Sequence, residues 1–409
     1  MKFVSAQEIY QEAGSRKGLP AWTYNNDELT QLEMEQVFLS NWMFVAHISD
    51  LPNSGDYQCF AMANERAVVV RDQGGQVRAF HNVCRHRASR VVADDKGHCG
   101  KAFICPFHGW SYSLDGTLKN IPKANAFPEI DKSQFGLKPL DCEVWQGMIF
   151  VRFGGDGQSV AELFADAAEE IGLYRIDEMQ LLDEPYQYNF DLDWKAVLDI
   201  DNEGYHVPVG HPELFDLVGS TYTDQPLEGS LNRTYGVINQ RKHRLQRNRD
   251  YVAALPAESY LPESHQNLWI YWGLFPGFVL TLFPDQIEIY QIYPTGNQQS
   301  VMAGVTYALP DDRPEMKKAR ELNRDINSDV GKEDIRLIEW AAAGMRSSAF
   351  DGVLLSDLEL GIGSFQNRLR EILPVVSLDE APAAGSLRQV NERLLAQGKV
   401  AAVNLVHDA

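Results

Sequence analysis

At 409 residues the chain exceeds what one hydrophobic core commonly serves, so two domains are expected. Its formal charge of −20 argues against nucleic-acid binding, which needs clustered Lys and Arg to neutralise phosphates, and no apolar run is long enough for a membrane span. Five cysteines are too few for a disulfide scaffold, and the opening MKFVSAQEIYQEAG lacks the charged-then-apolar layout of a secretory leader; a cytoplasmic protein with free or metal-bound thiols is expected.

Taken in chain order, the first forty residues read as helix and lead-in, with LTQLEMEQVFLSNW carrying apolar residues at helical spacing. From about Trp42 to Phe153 the pattern shortens to β-branched runs parted by turn signals: AVVVRD (67–72), GQVRAFHNV (75–83), KAFIC (101–105), WSYSLDGTL (110–118) and GMIFVRF (147–153). Asp115-Gly116 between alternating runs predicts a hairpin. GGDGQ (154–158) marks a boundary. Beyond it come a helical segment (160–174), a strand YQYNFDLDW (186–194), a helix start WKAVLDIDNEGYH, and a long polar, poorly periodic stretch (212–265). Aromatic-rich strands (267–296 and 300–309) and helices (314–347 and 356–372) close the pattern. The expected domains are a helical segment 1–40 packing on the catalytic domain, a small all-β domain 41–155, and a larger α+β domain 156–409.

Chemistry concentrates first in CRHRASRVVADDKGHCGKAFICPFHGW (84–110), which offers Cys84 and His86 in one loop and Cys105 and His108 in another. A zinc finger presents its cysteines together and its histidines together. Here each loop gives one of each, which suits a two-iron cluster with both thiolates on one iron and both imidazoles on the other, the Rieske [2Fe–2S] arrangement. Pro106 and Gly109 favour a loop whose backbone N–H groups can face the sulfides.

NVCRHR (82–87) and CPFHGW (105–110) resemble the Rieske oxygenases, the α subunits of ring-hydroxylating and N-demethylating non-haem iron enzymes. The segment between the two loops runs slightly longer than is usual in that family; His98 and Cys99 fall in the extra length and read as residues that do not ligate. The resemblance implies a catalytic domain of helix-grip, START-like form.

LDIDNEGYHVPVGHPEL (198–214) supplies His206 and His211. An i, i+5 pair does not share one face of a straight helix, but Pro208 and Gly210 let the chain turn between them. On spacing alone the pair reads more readily as structural; beside a Rieske motif it reads as two ligands of an O2-activating Fe(II), which takes two His and one carboxylate. In the resemblance Glu203 is not a ligand; it links a metal-bound His to His108 of a neighbouring subunit. Asp is usual there, and Glu occurs in members acting on quaternary amines. The family's Glu-Asn before this stretch reads Asp199-Ile200 here. For the third ligand, SDVGKEDIRLIEWAAAGMRSSAF (328–350) resembles the family's Glu-Asp-x-x-x-x-Glu helix. Asp334, Ile338, Ala341 and Met345 fall on one helical stripe, and an acid in an apolar stripe is costly unless paired. Asp334 is the preferred ligand. Asp357 is the rival, although SDLE (356–359) reads as a capping box.

GGDGQ and GIGSF lack the strand-turn-helix setting of a dinucleotide fingerprint, so NAD(P)H is expected only through a separate reductase, with or without a ferredoxin. The resemblance implies one Rieske cluster, one mononuclear Fe(II), O2 as co-substrate, and electron transfer through His108, Glu203 and His206. It also implies a head-to-tail homotrimer with an inactive monomer, and leaves room for a β subunit. Aromatic-ring hydroxylation is the broad family expectation; hydroxylation or N-demethylation of a betaine-like quaternary amine is the alternative towards which Glu203 inclines. NLWIYWGLF (267–275) reads most simply as an aromatic strand packed in the core, but it also offers Trp269 and Tyr271 on one strand face as pocket walls, able to enclose a ring or a methylated ammonium. A Rieske electron-transfer protein without oxygenase chemistry would need only the first motif.

Overall fold

The β-branched runs of the first half become strands, because Val, Ile and Phe stack well on a half-buried pleated surface. The computed structural model describes residues 1–12, 14, 16–239 and 242–407, with side chains described except at 12 and 399–407. These fall into two compact units: residues 38–162 with 175–181, and residues 1–37, 163–174 and 182–409.

The smaller unit holds β1 (Met43–His47), β2 (Asp56–Met62), β3 (Glu65–Arg71), β4 (Val77–His81), β5 (Lys96–His98), β6 (Ala102–Ile104), β7 (Ser111–Ser113), β8 (Leu118–Asn120), β9 (Asp141–Trp145), β10 (Met148–Arg152) and the short β11 (Gln180–Leu181). The first ten pair as three sheets, β4-β3-β2-β5, β6-β7-β8 and β1-β10-β9. Ala67, Val68, Val69 and Val70 are all buried, so β3 is sealed on both faces. The Asp115-Gly116 turn joins β7 to β8, with the Asp115 carboxylate accepting the Thr117 N–H at 3.0 Å. Between the two Cys-His loops lies β5, whose His98 pairs with Asp56 of β2. The segment returning at 175–181 brings the Ile176 carbonyl to 3.0 Å from the buried His47 Nε2.

In the larger unit β12 (Tyr186–Phe190), β13 (Thr223–Pro226), β14 (Leu231–Val237), β15 (Leu268–Leu274), β16 (Phe278–Leu282), β17 (Ile287–Gly296) and β18 (Gln299–Ala308) form an antiparallel sheet. The order is β18-β17-β16-β15-β14-β13, with β12 also on β18. The stretch 212–265 is not one polar loop: it contains β13, β14 and the helices Pro212–Val218 and Gln246–Ala254. β14 buries Leu231, Arg233, Thr234 and Gly236 without strict alternation, and its buried arginine, paired with Glu170, hid the strand from a hydrophobicity reading. A helix at Pro314–Met345 follows the sheet, then Leu360–Ile372. The larger unit is thus α+β, an antiparallel sheet with helices.

Candidate active site

In the smaller unit the two motif loops fold alike. Cys84 O accepts from Ala88 N at 3.0 Å, and Cys105 O accepts from Gly109 N at 3.0 Å. Gly109 has φ +71, a conformation that a side chain resists. Both turns bury the cysteines, at 3% and 1% exposure, and leave His108 exposed. The His86 and His108 rings lie 4.6 Å apart, and His86 stacks on buried Trp110. The Tyr112 hydroxyl sits 3.2 Å from the Cys84 sulfur. His86 Nδ1 is buried without a hydrogen-bond partner, as expected of a nitrogen whose lone pair is meant for a metal. Cys84, His86, Cys105 and His108 therefore fit a Rieske cluster. His98 pairs instead with Asp56 at 2.8 Å, and the Cys99 thiol faces the Gly55 carbonyl at 3.3 Å.

In the larger unit the helix Trp194–Asp201 ends at Asn202, and the chain turns through Glu203 to His206. Pro208 and Gly210 occupy a short helical turn, Val207–Gly210, which carries His211 back beside His206. The two Nε2 atoms are 3.0 Å apart. Asp334, from the helix Pro314–Met345, brings Oδ1 to 2.8 Å from His211 Nε2 and 3.6 Å from His206 Nε2. Each Nδ1 has a carboxylate: Glu203 for His206, and Glu333 at 2.9 Å for His211. An acidic partner on Nδ1 fixes the proton there and turns the Nε2 lone pair inwards. Asp334 Oδ1 is correspondingly buried without a hydrogen-bond donor. Two imidazole lone pairs and a carboxylate oxygen, all within 4.8 Å of one another, converge on a point that only a cation satisfies. Burial disfavours a proton on His206, yet Asp334 and Glu203 push its pKa up to about 10, so with no metal bound the site draws in a proton where a metal cation would otherwise sit. The three residues fit a mononuclear iron.

Glu333 escaped the sequence reading, although it is the first acid of the quoted Glu-Asp pair. Asp224 escaped it too; it accepts from Gly204 N at 3.3 Å and from the Thr234 hydroxyl at 3.0 Å, and burial pushes its carboxyl up to about 7. Asp357 is not part of the triad; it pairs with Arg16 at 2.7 Å. The Ser356 and Glu359 side chains do meet at 2.7 Å, but the helix begins at Leu360, just beyond that turn. The apolar stripe beside Asp334 runs through Ile338 and Ala342, both buried, whereas Ala341 is exposed. The slip is one residue, because 3.6 residues per turn drifts against a simple count.

A cavity of about 350 Å³ opens beside the triad, walled by strands β12, β15, β17 and β18 and by the helix Pro314–Met345. Tyr271 lines it, together with Tyr186, Tyr188, Tyr222 and Tyr290. Trp269 does not: at 1% exposure it packs edge-on to Phe283 and donates to the Tyr251 hydroxyl at 3.2 Å. Trp269 shares the strand face of Tyr271, but that face runs from the cavity into solid core.

Residues 41–133 match the Rieske [2Fe-2S] domain family, and residues 178–374 match the catalytic domain of the ring hydroxylating alpha subunit family. A choline monooxygenase from Spinacia oleracea is 27% identical over 87% of this chain and 78% of its own length. The carnitine monooxygenase oxygenase subunit of Escherichia coli is 26% identical over 87% of this chain and 93% of its own. A glycine betaine monooxygenase oxygenase subunit from Chromohalobacter salexigens is 31% identical, but the match spans 54% of this chain and only 49% of that relative. The fold is shared with a crystal structure of a quaternary ammonium Rieske monooxygenase (TM-score 0.75, 20% identity, 90% of this chain and 99% of that one). It is also shared with naphthalene 1,2-dioxygenase (TM-score 0.69, 19% identity, 97% and 99%). The paired loops, the metal-shaped triad and these likenesses converge: the chain belongs to the Rieske oxygenase α subunits, with a Rieske domain followed by a ring-hydroxylating-type catalytic domain.

Proposed function

We propose that the protein is the terminal oxygenase of a Rieske system whose substrate is a quaternary amine, which it hydroxylates or N-demethylates. The observation that carries this reading is the cavity beside His206, His211 and Asp334, whose wall combines five tyrosines with the carboxylates Asp201 and Glu288. Tyrosine faces attract a desolvated ammonium, and buried carboxylates suit a cation far better than a hydrocarbon ring. The curated relatives above are choline, carnitine and glycine betaine monooxygenases, which agrees. The amine alternative is thereby favoured over aromatic-ring hydroxylation, the broader expectation from sequence.

On this reading Cys84, His86, Cys105 and His108 hold the cluster, and His206, His211 and Asp334 hold the iron. When bound, these groups supply single electrons and the site of O2 activation. Glu203 and Glu333 keep protons on Nδ1 of the two imidazoles and so keep Nε2 free for the metal. The tyrosine wall positions the substrate and displaces water from it. Completing the proposal are a separate reductase, a head-to-tail homotrimer in which Glu203 faces His108 of the next subunit, and residence in the cytoplasm. No described helix is long and apolar enough to cross a membrane.

The test is a single turnover. Metal-loaded protein, its cluster chemically reduced, is mixed with O2 and a panel of methylated amines and aromatic acids, and products are identified by mass. Formaldehyde with a demethylated amine, or a hydroxylated amine, is the expected outcome; a diol or phenol from a ring acid, with the amines untouched, restores ring hydroxylation.

A further inference from the structure

Glu288 projects from β17 into the cavity and keeps some accessible surface there. Among the described residues it makes no ion pair, and its hydrogen bond comes from the Tyr186 hydroxyl at 2.8 Å. Burial pushes its carboxyl above the usual range, an effect that a cation in the cavity would reverse. A carboxylate in such a wall without a compensating cation is costly to the fold, so a role in binding is the physical reason to look for.

The surroundings are built around it. Tyr186 on β12 and Tyr290 on β17 are both register partners of Gly304 on β18. A Cβ at Gly304 would overlap the Tyr186 ring, so the glycine is what lets that ring lie across the strand and reach Glu288. Tyr290 in turn donates to Asp201 at 2.6 Å, placing a second tyrosine-held carboxylate on the same wall. Gln286, two residues before Glu288 and therefore on the same strand face, also lines the cavity; it is 5% exposed and its Oε1 has no partner. Arg324 also lines the cavity, but its guanidinium pairs with Asp183 at 2.9 Å, which leaves Glu288 without a cation of its own and the Gln286 oxygen without a donor.

We propose that Glu288, held in place by Tyr186 over Gly304, reads the positive charge of the substrate, selecting ammonium head groups over neutral groups of the same shape. This rests on the amine reading above and assigns its selectivity to a residue outside the metal triad. Glu288 touches the head group; Tyr186 is a positioning residue that acts through it.

The experiment compares two isosteric pairs in which a quaternary nitrogen is replaced by carbon: choline with 3,3-dimethylbutan-1-ol, and glycine betaine with 3,3-dimethylbutanoate. Dissociation constants are measured by calorimetry on metal-loaded wild type, Glu288→Gln and Tyr186→Phe, each checked for iron and cluster content. Wild type is expected to favour the charged member of at least one pair by about tenfold or more. Glu288→Gln should bring that ratio close to unity by weakening the cation while leaving the neutral isostere unchanged, and Tyr186→Phe should lower it part of the way. Retention of the full ratio by metal-replete Glu288→Gln overturns the role of Glu288 and leaves the amine reading standing. Should that variant not fold, an unchanged ratio in Tyr186→Phe overturns it instead. Equal binding of both members by wild type, with no turnover of any amine, overturns the amine reading and this inference together.

Discussion

Two imidazole nitrogens 3.0 Å apart, each presenting a lone pair, repel one another until a positive charge lies between them. Asp334→Ala should therefore cost the mononuclear iron while the Rieske absorbance stays, which metal analysis beside the visible spectrum checks. Glu333→Gln leaves every ligand in place but weakens the hold on the His211 proton; iron affinity should fall about 10- to 100-fold, read by competition with a chelator. A separate titration belongs to Asp285, buried under Tyr251 and Asn323 and pushed up to about 6 by burial. Its folded value lies above the ordinary 3.8, so the folded chain holds this proton longer than the unfolded one. The resulting stability is complete below pH 3.8 and lost as pH rises through about 6. Asp285→Asn should flatten the fall in unfolding free energy across that window by about 2–3 kcal/mol, measured by denaturant melts at several pH values. At this scale the Cys-His and His-His-Asp groupings that the fold brings together were legible, because Cys and His in tight spacing are rare without a purpose. Glu333 and Asp224 were not, since a carboxylate that orients a ligand looks like any surface acid until its partner is seen.

The two loops that bear Cys84 and Cys105 owe their shape to the backbone. Gly109 sits at φ +71 with Pro122 close by, so Gly109→Ala should cost about 1–2 kcal/mol and speed loss of the cluster on warming, followed by bleaching of its absorbance. Strands β3, β4, β10 and β15 to β18 were readable because their apolar residues run in short β-branched or aromatic blocks. β14 was not, because Arg233 occupies an inward position where only its pairing with Glu170 makes burial tolerable. Trp269 shows the same limit: strand alternation gave the correct face, but not where along that face the cavity stops and the core begins.

For the whole molecule, the smaller unit is discontinuous in sequence, because residues 175–181 return to it after 163–174 have joined the larger one. The boundary expected at 155 could not anticipate this, since GGDGQ looks like a linker and the returning strand is only two residues long. A fragment of residues 38–155 lacks Ile176, which is 0% exposed, and leaves His47 Nε2 without its carbonyl. It should unfold at lower denaturant than residues 38–181 and lose its cluster sooner, by parallel melts of the two. The proposed trimer makes a further demand. Val209, 87% exposed, and Tyr205, 58% exposed, flank His206 and His211, where a free monomer gains nothing from apolar surface. Val209→Asp should shift the protein towards monomer in size-exclusion chromatography and abolish turnover with both metal centres still filled.

Gly304 forms no part of the cavity lining, yet Tyr186 and Tyr290 flank it across three strands. A mutational library confined to side chains that touch substrate would never sample it. Any residue larger than glycine there would unseat the hydroxyl that holds Glu288, so the route to a changed substrate range runs through a position with no side chain at all.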